Sequence, residues 1–203
     1  MMTAVKRPVP GPALVDTLWP SNERTRWLRM GALVIGGSLL MILASKIQIP
    51  FWPVPLTLQT LAVLTLGMAY GPRLAFATLM LYMAEGAVGL PVFSGTPEKG
   101  IGLAYMMGTT GGYLLGFVMA ATLVGWFAER GWDRNFISTA AAMLIGNVVI
   151  YVPGLLWLGA VVGWDKPVLE WGLYPFLAGD GVKLLLAAIA MPVVWKVTKK
   201  LRG

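Results

Sequence analysis

Long runs of apolar residues, separated by short polar or proline-rich links, make up most of the chain after residue 28. A membrane-spanning helix needs about 20 mostly apolar residues, so these runs predict six transmembrane helices. We place them at 29–49, 56–70, 74–90, 101–128, 135–164 and 173–195. Because proline does not continue a helix, the proline-containing links at 50–55 and 71–73 each end a predicted helix. The pattern predicts an all-α integral membrane protein, with an N-terminal segment at 1–27 and a transmembrane domain at 28–203.

The composition supports this class of protein. Of the 203 residues, 57% are hydrophobic and 12% are charged, whereas a typical soluble domain has about 25% charged residues. The chain has no cysteine and no histidine, which excludes disulfides, Cys/His metal centres and Ser-His-Asp catalysis. It also lacks the G-x-x-x-x-G-K-[ST] sequence of nucleotide-hydrolysing P-loops. We therefore expect neither an enzyme nor a protein that holds a metal or a cofactor.

Basic residues are distributed unevenly between the two predicted sides of the membrane. The net charge is +7, with 16 Lys and Arg residues. Lys46, Lys99 and Lys166 fall on one side and Lys183 falls inside a helix, so the other twelve lie on the side of both termini. Because loops rich in Lys and Arg stay in the cytoplasm, we expect both termini to be cytoplasmic, in a plasma membrane. The lipid bilayer then explains the basic excess, and no nucleic-acid partner is expected.

Two ionisable residues lie inside the last predicted helix. Asp180 and Lys183 are spaced i, i+3 and therefore share one face of that helix, although a charge at the bilayer centre costs about 2.5–3.5 kcal/mol. Asp offers only acceptors, and Lys offers only donors. The pair either neutralises itself and holds helices together, or binds a ligand that presents adjacent N–H and C=O groups from the outer side.

Three further polar residues of the predicted helices are candidates for ligand contact. Glu85 lies near the outer end of the third helix, where it either reaches the membrane surface or contributes to the same site as Asp180. Gln59 in the second helix and Asn147 in the fifth either bond neighbouring helices or contact the ligand. The residues alone leave these alternatives open.

A glycine-rich segment lies near the start of the fourth predicted helix. It runs from Gly108 to Tyr113 and includes Gly111 and Gly112. Backbone N–H groups of such a segment can bind an anion, but small residues also allow membrane helices to approach closely. The segment therefore predicts either a contact to an anionic ligand group or close helix packing.

Aromatic and small residues near the ends of the predicted helices each have two interpretations. Phe51 and Trp52, together with Phe93, either cap a cavity that opens outward or belong to an interfacial aromatic belt. Ala32 and Gly36 form a small-xxx-small pair in the first helix, which permits close helix contact. That contact lies either within this protein or with a membrane partner.

Five motifs carry a resemblance to a known family. They lie, in order, at 49–61 (IPFWPVPLTLQTL), 71–73 (GPR), 85–93 (EGAVGLPVF), 108–117 (GTTGGYLLGF) and 175–183 (PFLAGDGVK). Together they resemble the BioY family, the biotin-binding S components of energy-coupling-factor (ECF) transporters. The resemblance implies the six-helix S-component fold, with biotin uptake driven by a transmembrane coupling subunit (T component) and ABC-type ATPases. It also implies that Ala32 and Gly36 contact the coupling subunit.

The resemblance further implies roles for individual residues. Asp180 and Lys183 bind the ureido ring of biotin, and Glu85 matches the polar residue of the third helix. The ureido group has one carbonyl acceptor and two N–H donors, which suits a lysine beside an aspartate. Tyr151 is suited to line the apolar part of biotin, and the 108–113 segment is suited to bind its carboxylate.

Two other classes of function remain open at this point. One is a self-sufficient secondary transporter, in which Glu85 or Asp180 carries protons. The other is a membrane protein without a transport function, such as an assembly factor. Uptake in cells that lack coupling subunits distinguishes a secondary transporter from an ECF S component. Failure to bind any small molecule favours a membrane protein without a transport function.

Overall fold

The computed structural model describes residues 11–202. The first ten residues of the predicted N-terminal segment, which include Lys6 and Arg7, lie outside the described residues. Helices dominate the described part, and one antiparallel two-stranded ribbon pairs Gln48 with Thr57. The elements are α1 (Leu14–Leu18), α2 (Glu23–Lys46), β1 (Gln48–Ile49), β2 (Leu56–Thr57), α3 (Gln59–Ala87), α4 (Gly102–Met106), α5 (Gly111–Ala128), α6 (Phe136–Val162), α7 (Val168–Gly172) and α8 (Tyr174–Arg202).

Five segments of the described part are long and apolar enough to cross a membrane, namely α2, α3, α5, α6 and α7 with α8. This count differs from the six predicted helices because the second and third of them form the single element α3. Gly71 interrupts α3 with φ 74° and ψ 172°. Gln59 Nε2 donates to the hydroxyl of Tyr82, 23 residues away, at 2.9 Å, although a straight helix of that length spans about 34 Å. The chain therefore reverses at Gly71, and α3 is a hairpin with antiparallel arms at 59–70 and 72–87.

Several helices begin or end away from their predicted bounds. α2 begins at Glu23, where the side chain of Asn22 accepts a hydrogen bond from the backbone N–H of Thr25 at 3.1 Å. The predicted helix at 101–128 is divided into α4 and α5. α8 continues to Arg202, beyond the predicted end at 195. The length of an apolar run does not predict these ends, because a helix can extend into polar residues beyond the run or be interrupted within it.

The segment that contains α1 packs against one end of the helix bundle. Leu14 and Val15 are buried, and the backbone N–H of Gly11 donates to the carbonyl of Glu129 at 2.7 Å. The Arg29 guanidinium donates to the carboxylate of Asp16 at 2.9 Å. Residues 11–18 are therefore attached to both α2 and the link between α5 and α6.

Glycines allow the central helices α3, α5 and α6 to pack at short distance. An added Cβ at Gly67 would lie 2.7 Å from the carbonyl oxygen of Ala121, and one at Gly116 would lie 2.8 Å from the Cα of Ile150. Because no side chain fits at these crossings, the backbones approach closely. Large apolar side chains such as Ile137 stay exposed on the outside of the bundle, as expected for a surface that faces lipid.

A buried carboxylate joins α8 to the link between α5 and α6. Asp133 is fully buried, and its Oδ2 accepts a hydrogen bond from the indole N–H of Trp195. The guanidinium of Arg134 lies 4.9 Å from the Trp195 ring centroid, and its Nε lies 3.9 Å from Oδ1 of Asp133. Burial raises the pKa of Asp133 above its ordinary value of 3.8, although the indole hydrogen bond opposes this shift.

Candidate ligand-binding site

A cavity lies between the start of α3 and helices α5, α6 and α8. It holds about 540 Å³ of space between atoms, its open mouth included. Most of its walls are apolar or aromatic, and its polar groups include a lysine and three threonines. The lining residues are Val54, Pro55, Thr57, Gln59, Thr60, Ser94, Tyr105, Thr110, Tyr113, Leu114, Phe117, Ile150, Tyr151, Phe176 and Lys183.

The buried Asp180 and the partly buried Lys183 form an ion pair beside this cavity, with Nζ and Oδ1 2.9 Å apart. The hydroxyl of Thr60 connects them, because it donates to Asp180 Oδ1 at 2.9 Å and accepts from Lys183 at 3.0 Å. Tyr151 donates to the other oxygen of Asp180, and Lys183 donates to the carbonyl of Thr57 at 2.7 Å. Lys183, Thr60 and Tyr151 line the cavity, whereas Asp180 is held by them and is not part of the lining.

Four elements, namely β2, α3, α6 and α8, bring these groups together. Asp180 and Lys183 project from the same face of α8. Thr57 ends β2, and its hydroxyl accepts a hydrogen bond from the backbone N–H of Gln59 at 3.2 Å, which joins the strand to the start of α3, where Thr60 lies. An unpaired charge in the membrane is costly, and a fully bonded network stabilises both charges. The network therefore explains how two ionised groups persist inside an apolar bundle.

Gln59 and Tyr113, both predicted contact residues, line the cavity with their polar ends already bonded. Gln59 is buried and donates to Tyr82, as described above. The Tyr113 hydroxyl donates to the carbonyl of Gly172 at 2.8 Å, and its ring packs edge-on against Tyr151 at 6.3 Å. These bonds fix both side chains as walls of the cavity.

The three aromatic residues predicted to cap the cavity lie outside its lining. Phe93 is fully buried and stacks on Tyr105, with ring centroids 5.0 Å apart, so it supports a lining residue from behind. Phe51 and Trp52 are exposed residues of the loop between β1 and β2, and the ring of Trp52 lies 5.1 Å from that of Trp171, measured between centroids. The residues at 54 and 55 of the same loop line the cavity instead.

Gly111 and Gly112 pack against α6. An added Cβ at Gly112 would overlap the backbone of Pro153, and one at Gly111 would lie 2.9 Å from the indole nitrogen of Trp157. These contacts favour the helix-packing interpretation of the glycine segment. Thr110, the residue before them, lines the cavity, and binding of an anionic group by the segment stays a prediction.

Glu85 and Asn147 lie outside the cavity, in different places. Glu85 is half-buried on the second arm of α3, and it accepts a hydrogen bond from Ser38 of α2. Asn147 is buried next to the ion pair, where it lines a small separate void with Asp180 and Lys183. Its Oδ1 has no hydrogen-bond partner among residues 11–202. Asn147 is therefore close to the site, whereas Glu85 joins α2 to α3.

Ala32 and Gly36 lie on the exposed face of α2. An added Cβ at Gly36 would meet no atom within 4 Å. Their exposure disfavours packing within this protein, so contact with a membrane partner stays the open prediction.

Sequence reasoning missed Thr57 and Thr60 as site residues, although both line the cavity and bond Lys183. The two threonines are three residues apart and flank Gln59, where a proline-rich link enters a helix, and this pattern is visible in the sequence. It also missed Tyr105 and Ser94 of the cavity wall, for which an apolar run gives no signal.

The site offers a carboxylate acceptor and an ammonium donor at the edge of an apolar, aromatic cavity. Because Asp accepts and Lys donates, the arrangement suits a small molecule that presents N–H and C=O groups side by side. The hydroxyls of Thr60 and Tyr151, which already donate to Asp180, restrict where those ligand groups fit. The rest of the ligand faces apolar and aromatic walls.

Comparison with known proteins identifies the family of this chain. The model of the BioY family matches residues 18–200. The probable biotin transporter BioY of Pyrococcus horikoshii is 37% identical over 150 residues, which are 74% of this chain and 86% of that protein. The biotin transporter BioY of Thermotoga maritima is 38% identical over 154 residues, with the same two shares, 74% and 86%.

A solved structure has the same fold. The crystal structure at 2.1 Å of the S-component for biotin from an ECF-type ABC transporter matches with a TM-score of 0.72, at 22% identity, over 87% of this chain and 95% of that one. The fold is therefore that of an ECF S component. The family match over nearly the whole length shows that this chain belongs to the BioY family.

Proposed function

We propose that this protein is the biotin-binding subunit of a vitamin uptake system and takes biotin from the outer side of the membrane. The observation that carries the proposal is the Asp180–Lys183 pair beside an apolar cavity. The ureido ring of biotin presents one carbonyl acceptor between two N–H donors, which complements a lysine next to an aspartate. The names of the relatives support biotin as the ligand.

The remaining walls of the cavity suit the rest of biotin. Tyr113, Phe117, Tyr151 and Phe176 provide aromatic surface for the sulfur-containing ring and the valeryl chain, and burial of apolar surface contributes about 25 cal/mol per Å². We place the carboxylate at Thr110, where the start of α5 offers backbone N–H groups to an anion.

We also propose an orientation and partners. The two arms of α3 count as separate membrane segments, which gives six segments with both termini in the cytoplasm and the cavity toward the outside of the plasma membrane. The exposed small residues Ala32 and Gly36 dock a transmembrane coupling subunit, which ABC-type ATPases drive. Such residues permit close helix contact within a membrane.

Uptake of labelled biotin tests this function. Host cells that lack their own biotin synthesis and transport are given the chain alone or together with the coupling subunit and ATPases of an ECF transporter. We expect rapid uptake only with the coupling module, and its loss in the Asp180→Asn variant but not in Asp165→Asn, whose carboxylate lies in an exposed pair with Lys166. Uptake by the chain alone that follows the proton gradient favours a secondary transporter, and no uptake in either host contradicts the proposal.

A further inference from the structure

Asn147 holds an unused hydrogen-bond acceptor next to the ion pair. It is 7% exposed, and its Oδ1 has no hydrogen-bond partner among residues 11–202. Asn147 lines a small void together with Thr60, Asp180 and Lys183, and this void is too narrow to admit a water molecule. Because buried polar atoms in native proteins are nearly always bonded, this oxygen is suited to accept a donor that now bonds another group.

Access to the carboxylate of Asp180 is a second, independent observation. Asp180 is buried and is not part of the cavity lining. The groups that line the cavity beside it are its own hydrogen-bond donors, namely Thr60, Tyr151 and Lys183. A ligand N–H therefore bonds the carboxylate only by taking the place of one of these three donors.

The Thr60 hydroxyl is the donor with a second acceptor within its reach. Lys183 carries the counter-charge of Asp180 at 2.9 Å, and its displacement leaves buried charges unpaired. Tyr151 does not line the void at Asn147, whereas Thr60 lines both this void and the cavity. A hydroxyl hydrogen rotates about the C–O bond, so the Thr60 hydroxyl can turn from Asp180 to Oδ1 of Asn147.

We propose that Asn147 is a positioning residue for the ligand, because it accepts the Thr60 hydroxyl when a ligand N–H replaces this hydroxyl at Asp180. The inference rests on the proposed role of Asp180 in binding the ureido ring. Asp180 keeps its number of hydrogen bonds in the exchange, and Asn147 gains one. The exchange also sets specificity, since a ligand without an N–H group at this point leaves the Thr60 hydroxyl on Asp180 and the Asn147 oxygen unpaired.

A double-mutant cycle between Thr60 and Asn147 tests the inference. Calorimetry gives the biotin affinity of the purified parent, Asn147→Leu, Thr60→Val and the double variant, and thermal unfolding in detergent shows that each variant is folded. Asn147→Ala is measured in the same backgrounds, because it removes the same acceptor without adding side-chain volume. Thr122→Val is the control for loss of a hydroxyl, since Thr122 donates to the carbonyl of Val118 in its own helix at 2.7 Å.

We expect Asn147→Leu and Asn147→Ala to weaken biotin binding by about 5- to 150-fold, because a buried donor then has no partner in the complex. In the Thr60→Val background, the same two changes alter the affinity by no more than about twofold, the accuracy of such cycles, since no hydroxyl needs an acceptor. In the Thr122→Val background they retain their full effect.

Two results overturn the inference and leave the proposed function intact. One is an equal loss of affinity from the Asn147 changes in the parent and in Thr60→Val, because Asn147 then acts independently of the hydroxyl. The other is parental affinity in both Asn147→Leu and Asn147→Ala. Absence of biotin binding to the parent overturns the proposed function instead.

Discussion

Replacement of Asp180 by Asn removes a charge from the network beside the cavity and preserves the shape of the side chain. In the parent, Oδ1 accepts from Thr60 and Lys183, and Oδ2 accepts from Tyr151. An amide has only one acceptor oxygen. Either the Thr60 and Lys183 donors or the Tyr151 hydroxyl then faces an NH₂ group, and the ligand N–H loses a charged acceptor.

The magnitude follows from the burial of the pair. The Lys183 side chain is 17% exposed, so solvent replaces little of the lost carboxylate. Hydrogen bonds to charged groups contribute about 1.5–3 kcal/mol, and we expect Asp180→Asn to weaken biotin binding by about 10- to 150-fold. The free energy of unfolding falls as well, because the variant leaves a buried ammonium without its counter-charge. The Asp180→Asn/Lys183→Met double variant regains stability without regaining affinity.

Calorimetry gives the affinity, and thermal unfolding in detergent gives the stability of each variant. Asp165→Asn is the control for removal of a carboxylate, since Asp165 is 72% exposed and lies 3.0 Å from Lys166. Equal biotin affinity in Asp180→Asn, the double variant and Asp165→Asn refutes the reasoning. In that case the pair only holds helices together.

Three further changes address packing, docking and pH. Gly86→Ala places a Cβ onto the buried ring of Phe93, and such overpacking lowers the free energy of unfolding by about 1–3 kcal/mol. The control Gly31→Ala, which meets no atom within 4 Å, does not lower the melting temperature, because Ala is favoured over Gly inside a helix. Gly36→Leu is expected to abolish energised uptake while calorimetric biotin affinity stays at the parental value. Because burial raises the pKa of Asp133, its ionisation opposes folding, and stability falls as pH rises from about 4 through the raised pKa. Asp133→Asn removes that fall in melting curves taken across this range; a retained fall contradicts the assignment.

The membrane class and most helix positions were predictable because they depend on local composition. About 20 apolar residues in a row indicate a membrane helix whatever they contact. The Gly71-Pro72 sequence likewise marked a helix end, and the structure places a chain reversal there. The described elements differ mainly at ends that capping residues determine, such as the start of α2 at Glu23.

The site was predictable only in part. Charges inside apolar helices are conspicuous, so Asp180 and Lys183 could be found from the sequence alone. Thr60 is inconspicuous, because a hydroxyl is common in membrane helices and its partner Asp180 lies 120 residues away. Glu85 is as conspicuous in the sequence as Asp180. The sequence does not show that Glu85 bonds the hydroxyl of Ser38 on a neighbouring helix and not a ligand.

Calorimetric titration of the purified protein with biotin tests most directly whether this cavity is a biotin site. We expect saturable binding with a Kd near 1 nM, about −12 kcal/mol, because each hydrogen bond is strengthened in a cavity shielded from water. Absence of saturable binding below about 10 μM, roughly −7 kcal/mol, contradicts biotin as the ligand.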